Sequence, residues 1–128
     1  MSLRTPVGKV LGLGTAKEGA EHWWMQRLSA VALVVLTLWF AVSLLSIGSL
    51  HYDAVQAWID RPVNAALLVL LVIALMYHSQ MGIQVVIEDY VPHKPTKLFA
   101  LIANQFVHVV LAAIGLFAVL RAVFGSYA

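Results

Sequence analysis

Residues 63–87 read VNAALLVLLVIALMYHSQMGIQVVI, twenty-five consecutive positions without Asp, Glu, Lys or Arg. As an α-helix rising 1.5 Å per residue, such a run reaches about 37 Å, more than the hydrocarbon layer of a bilayer, about 30 Å. Two more uncharged runs flank it, Leu28 to Leu50 and Leu98 to Leu120, each of 23 residues. Buried helices of a water-soluble protein are usually shorter and keep a polar face. The pattern predicts an all-α integral membrane protein, one domain over 1–128. Its three transmembrane helices, about 28–50, 63–87 and 98–120, run up-down-up.

Composition agrees. The chain has 128 residues, 62% hydrophobic and 11% charged, against about 25% charged in a soluble domain. So apolar a chain is not disordered. It has no cysteine, which excludes disulfides, Cys-ligated zinc and an iron–sulfur cluster held by this chain. The formal net charge of +2 gives no footprint for nucleic acid, and no such partner is expected.

The cations orient the spans. Arg4, Lys9, Lys17 and Arg27 precede the first run, and Lys94 and Lys97 lie in the second connection. Only Arg61 and Arg121 fall on the other side. Six against two predicts a cytoplasmic N-terminus and an outer C-terminus. Trp23 and Trp24 then suit the inner interface, and Tyr52, Trp58, Phe124 and Tyr127 the outer one. The first run exceeds a secretory signal core, and the segment before it mixes acids with bases, so an uncleaved span is expected.

Local signals set the boundaries. Thr15-Ala-Lys-Glu18 matches a capping box and predicts a short helix before the first span, although Gly19 follows. Pro62 suits the first turn of the second span, where its missing N–H costs nothing. Pro92 and Pro95 are expected to end that helix after Tyr90 and set a short turn. Gly12-Leu-Gly14 lacks the third glycine of a dinucleotide fingerprint and reads as loop.

Polar side chains at bilayer depth are costly, so each asks for a reason. His78 and His108 both fall about 15 Å from the cytoplasmic ends of their spans. His78, Gly82, Val85 and Asp89 share one helical face. Gly82 removes a side chain one turn from the imidazole, which leaves room for a flat group or another backbone. A deep imidazole beside cleared space suits axial ligation of haem iron, with a cation such as Arg27 for the propionates; His22 lies towards the same side. By spacing alone, a plain hydrogen bond to a neighbouring helix accounts for the same imidazole more readily. His108, with Asn104 one turn away and Gln105 beside it, reads as interhelical hydrogen bonding. Ser43, Ser46 and Gln80 read as packing or backbone-bonding groups, Trp39 and Phe40 as packing or lipid-facing ones, and Arg61, Lys94, Lys97 and Arg121 as topology charges. Asp89-Tyr90 places a carboxylate and a phenol at the inner interface, where a phenol O–H can donate to a carbonyl and an acid can relay protons.

The stretch from His78 through Gly82 to Asp89-Tyr90 resembles the signature of the small membrane-anchor (D-type) subunits of succinate dehydrogenase, respiratory complex II. That signature runs H-x-x-x-G-x-x-x-x-x-x-D-Y, and every fixed position is met. His22-Trp23-Trp24-Met25-Gln26-Arg27 resembles the H-W-x-x-x-R that opens the family's first span. The resemblance implies a multi-pass subunit of the bacterial inner membrane. It implies His78 as one axial ligand of a haem b whose other ligand comes from the cytochrome b subunit. Arg27 would lie near the haem propionates. Tyr90 would hydrogen-bond a ubiquinone carbonyl, with Asp89 in support. The implied partners are the cytochrome b, iron–sulfur and flavoprotein subunits, and no activity is expected of this chain alone. His108 has no counterpart in the pattern. Two other readings stay open: a self-contained cytochrome in which His78 and His108 share one iron, and a non-redox transport or assembly subunit with Asn104, Gln105 and His108 along a path.

Overall fold

The computed structural model describes residues 16–125, with side chains from residue 20 onward. It is all-helical over that range. Four helices follow one another: α1 (Ala16–Ser46), α2 (Tyr52–Ile59), α3 (Pro62–Tyr90) and α4 (Lys94–Gly125). α1 from Ala20, α3 and α4 are long and apolar enough to cross a membrane. Thr15, Gly12, Gly14 and Tyr127 of the sequence reading lie outside the described residues.

Helix ends have visible causes. α1 is one unbroken helix, so the separate short helix expected before the first span is fused to it. Gly19 does not interrupt it; one interior glycine costs only about 1 kcal/mol relative to alanine. α1 stops at Ser46 instead of running to Leu50, and Gly48 follows at φ +72°, a conformation open to glycine without strain. α3 begins on Pro62 and ends at Tyr90, as expected from the prolines. Pro95 sits in the first turn of α4, where no intrahelical donor is lost. Lys97 is more than a topology charge: its Nζ donates to the carbonyl of Glu88 at 2.6 Å, a cation on the last turn of α3.

α2 was not foreseen. It folds across the start of α3 and the end of α4. Gln56 Nε2 donates to Ala122 O (2.6 Å) and to Asp60 Oδ1 (3.0 Å), and Asn64 Nδ2 donates to Trp58 O (2.8 Å). Trp58, expected as an interface anchor, is instead buried. It stacks on Trp39 at 5.7 Å between ring centroids, with Phe40 at 6.3 Å. Such aromatic pairs contribute about 0.5–1.5 kcal/mol beyond the area they bury.

α3 is the common partner. It packs against α1 on one side and α4 on another, and among the described residues the backbones of α1 and α4 do not come close. Trp58 and Met81 are the only buried apolar side chains among the described residues. Valines, leucines and isoleucines along the three long helices stay exposed, as a lipid-facing surface requires. The α3–α4 seam is tight at Gly115, where a Cβ would lie 2.9 Å from Val72 Cγ1. Gly115→Ala should therefore overpack the seam and cost about 1–3 kcal/mol. The expected outcome is a lower thermal midpoint for the detergent-solubilised protein, recovered when Val72→Ala is added.

Candidate functional site

The polar groups of the spans fall into two separate sets, both built on α3. The first lies between α1 and α3. His78 Nδ1 is 3.0 Å from Ser29 Oγ, and Ser29 Oγ also donates to Gln26 O at 2.9 Å. Ser29 is buried, at 9% exposure, while His78 is half-buried. Among the described residues His78 Nε2 has no hydrogen-bond partner. One turn on, Gly82 faces open space: a Cβ built there would meet nothing within 4 Å.

The second set lies between α3 and α4. His108 is buried; its Nδ1 is 2.8 Å from Asn104 O and its Nε2 is 3.1 Å from Ser79 Oγ. Asn104, also buried, donates from Nδ2 to Gln80 O at 3.0 Å. The interhelical hydrogen bonding expected of Asn104 and His108 is what the structure contains. Both ring nitrogens of His108 are engaged, so no lone pair is left for iron. His78 meanwhile bonds to α1 and His108 to α3, so the two imidazoles serve different seams. This speaks against one iron shared between them. It speaks equally against an open polar path, because two of that path's three residues are buried and bonded to their neighbours, while Gln105 is exposed.

In the first half of α1, Arg27 follows Gln26. Its guanidinium lies 5.4 Å from the Trp23 ring centroid, and Trp23 meets Trp24 edge-on at 5.2 Å. Asp89 and Tyr90 close α3 and are exposed, Tyr90 at 80%. Their side chains line neither of the two grooves beside α3. One, of about 300 Å³, is lined by Glu21, His22, Met25, Tyr77, Gln80, Met81 and Gln84. The other, of about 290 Å³, runs past Gln105 and His108. His78 and Tyr90 line neither of them. A ladder from Gln80 to Gln84 (3.2 Å) and Gln84 to Glu88 (2.8 Å) runs down the first groove. Ser46 Oγ donates to Ser43 O, a local backbone bond as expected.

The donor chemistry fits a haem. Among the described residues no group of three metal-ligating side chains gathers. A porphyrin brings four nitrogens of its own and asks the protein only for axial ones. A neutral imidazole whose other nitrogen is engaged, beside a glycine that opens the same face, meets that need.

Sequence reasoning missed Ser29 and Ser79. Each is a serine opposite a deep histidine on another helix, and the only signal in the sequence was a hydroxyl at matching depth.

Over residues 1–120 the chain matches the family described as succinate dehydrogenase/fumarate reductase transmembrane subunit. It belongs to that family. It is 32% identical to the succinate dehydrogenase hydrophobic membrane anchor subunit of Rickettsia bellii, over 94% of this chain and 88% of the relative. The subunit of the same description in Paracoccus denitrificans is 38% identical over 67% of each chain. The succinate dehydrogenase membrane anchor subunit of Reclinomonas americana is 31% identical over 73% of this chain and 80% of that one. No solved structure matches the chain significantly.

Interhelical hydrogen bonds inside membranes contribute about 0.6 kcal/mol on average and at most about 1.7. Asn104→Leu should thus lower the stability of the α3–α4 pair by about 1 kcal/mol, read as a fall in thermal midpoint in detergent. The same change should leave visible absorption untouched, since this set lies apart from His78.

Proposed function

We propose that the chain is a membrane anchor subunit of a succinate:ubiquinone oxidoreductase. It holds the soluble flavoprotein and iron–sulfur subunits at the bilayer and helps form a haem b site and a ubiquinone site with a cytochrome b subunit. The family match over residues 1–120 carries the anchor role. The paired Lys94 and Lys97 at the α3–α4 turn support a cytoplasmic N-terminus. The bacterial relatives support the inner membrane as its site.

His78 would hold a haem through one imidazole nitrogen, and the haem would supply a one-electron centre. This is supported by the engaged Nδ1, the partnerless Nε2 and the open face at Gly82. Arg27, two positions from Ser29 on α1, places a permanent cation towards the inner side, suited to a carboxylate such as a propionate.

Tyr90 lies twelve residues beyond His78, about 18 Å along the helix. That puts its phenol at the inner edge of the lipid, where a quinone head group meets the aqueous side. The phenol donates a hydrogen bond to one quinone carbonyl. Asp89, beside it and exposed, passes protons inward. Reduction consumes two electrons, delivered through the iron–sulfur subunit, and two protons, and yields the quinol. The exposure of both side chains in the single chain is what a site completed by neighbouring subunits requires.

Tyr90→Phe keeps the ring and removes the donor. The purified complex should retain its subunits and haem spectrum while succinate–quinone turnover falls about 10-fold or more, the scale of one lost hydrogen bond to a reacting carbonyl, about 1.4 kcal/mol or above. Unchanged turnover would remove Tyr90 from the quinone site. His78→Ala should change the haem absorption of the same complex, and an unaltered spectrum would remove His78 as a ligand.

A further inference from the structure

Ser29 Oγ carries one proton and has two neighbours in reach: Gln26 O at 2.9 Å and His78 Nδ1 at 3.0 Å. There are two ways to place the hydrogens. In one, Ser29 donates to Gln26 O and accepts from His78 Nδ1–H, so both contacts are hydrogen bonds. In the other, Ser29 donates to Nδ1, the contact with Gln26 O is lost, and the ring proton sits on Nε2. Nε2 has no acceptor among the described residues. Away from water an unmade hydrogen bond costs about 1–3 kcal/mol, and the second arrangement forgoes one bond and strands one donor. The first arrangement wins.

We propose that Ser29 is the positioning residue of His78. Its back-bonded hydroxyl accepts the Nδ1 proton, fixes the ring as the Nδ1–H tautomer and thereby turns the Nε2 lone pair towards the metal. This rests on the reading of His78 as a haem ligand. The chemistry is general: a ligating imidazole needs a deprotonated nitrogen, and a partner on the other nitrogen selects which one that is and raises its basicity. Two features make Ser29 suited to this. It is buried, so water does not compete for Nδ1. Its own proton is committed to the carbonyl three residues back on α1, which leaves the oxygen as an acceptor. An ordinary serine free to rotate selects no tautomer.

An imidazole that donates from Nδ1 is a stronger electron donor through Nε2 and favours the ferric over the ferrous state. Removing the acceptor should raise the haem midpoint potential. The test compares Ser29→Thr with Ser29→Val in the whole purified complex. These replacements share a shape, and only Thr keeps the hydroxyl. The expected result is a wild-type potential and low-spin ferric EPR signal for Ser29→Thr. Ser29→Val should show a raised potential and a shifted signal. Equal values for the two variants would overturn the assignment of Ser29. His78→Ala, measured alongside, separates the layers. If it changes the haem while the two Ser29 variants agree, Ser29 is no positioning residue and His78 stands as a ligand. If it leaves the haem unchanged, the ligand reading falls and this one falls with it.

Discussion

The hydrocarbon layer offers no hydrogen-bond partner, so every polar group the chain carries into it must be met by the protein itself. That constraint organises the molecule. Backbone groups are satisfied within four helices. Ser29, Ser79, Asn104, His108 and one nitrogen of His78 find partners across the two seams of α3. Apolar packing supplies little of the specificity, since Met81 and Trp58 are the only buried apolar residues among the described ones. Polar contacts and one close approach at Gly115 decide how the helices sit.

The two histidines show how one residue type divides between scaffold and site. His108 has both nitrogens engaged within the α3–α4 seam, and its work ends there. His78 engages one nitrogen with α1 and has none on the other among the described residues. The difference lies in their partners. Around His108 a serine hydroxyl and a helix carbonyl cover both sides of the ring. Around His78 the hydroxyl covers one side, and Gly82 leaves open the face one turn below. A family whose chains share membrane work with other subunits is the setting in which such an open face has a use.

Much of the fold was legible because it follows from charge and from proline. Three runs without Asp, Glu, Lys or Arg set the three long helices, and Pro62 and the Pro92 turn set the ends of the middle one. The bonded state of Asn104 and His108 was readable too, since two polar residues one turn apart at bilayer depth must find partners. α2 was not readable: Tyr52–Ile59 is short, and its place depends on a bond from Gln56 to a carbonyl 66 residues away. The same holds for Trp58, which trades the interface for Trp39. Ser29 escaped notice because its partner lies 49 residues on and the register of α1 against α3 is written in no local motif. Asp89 and Tyr90 were singled out by their pattern at the end of a span, and both are exposed at the end of α3.

The central claim is that this chain anchors a succinate:ubiquinone oxidoreductase, and mild detergent extraction of the tagged full chain from its own membranes tests it most directly. The account predicts that a flavoprotein, an iron–sulfur protein and a second small membrane protein co-purify in equal amounts, with b-type haem absorption in the same fraction. A chain that emerges without a flavoprotein, or with partners that carry no redox centre, would contradict it.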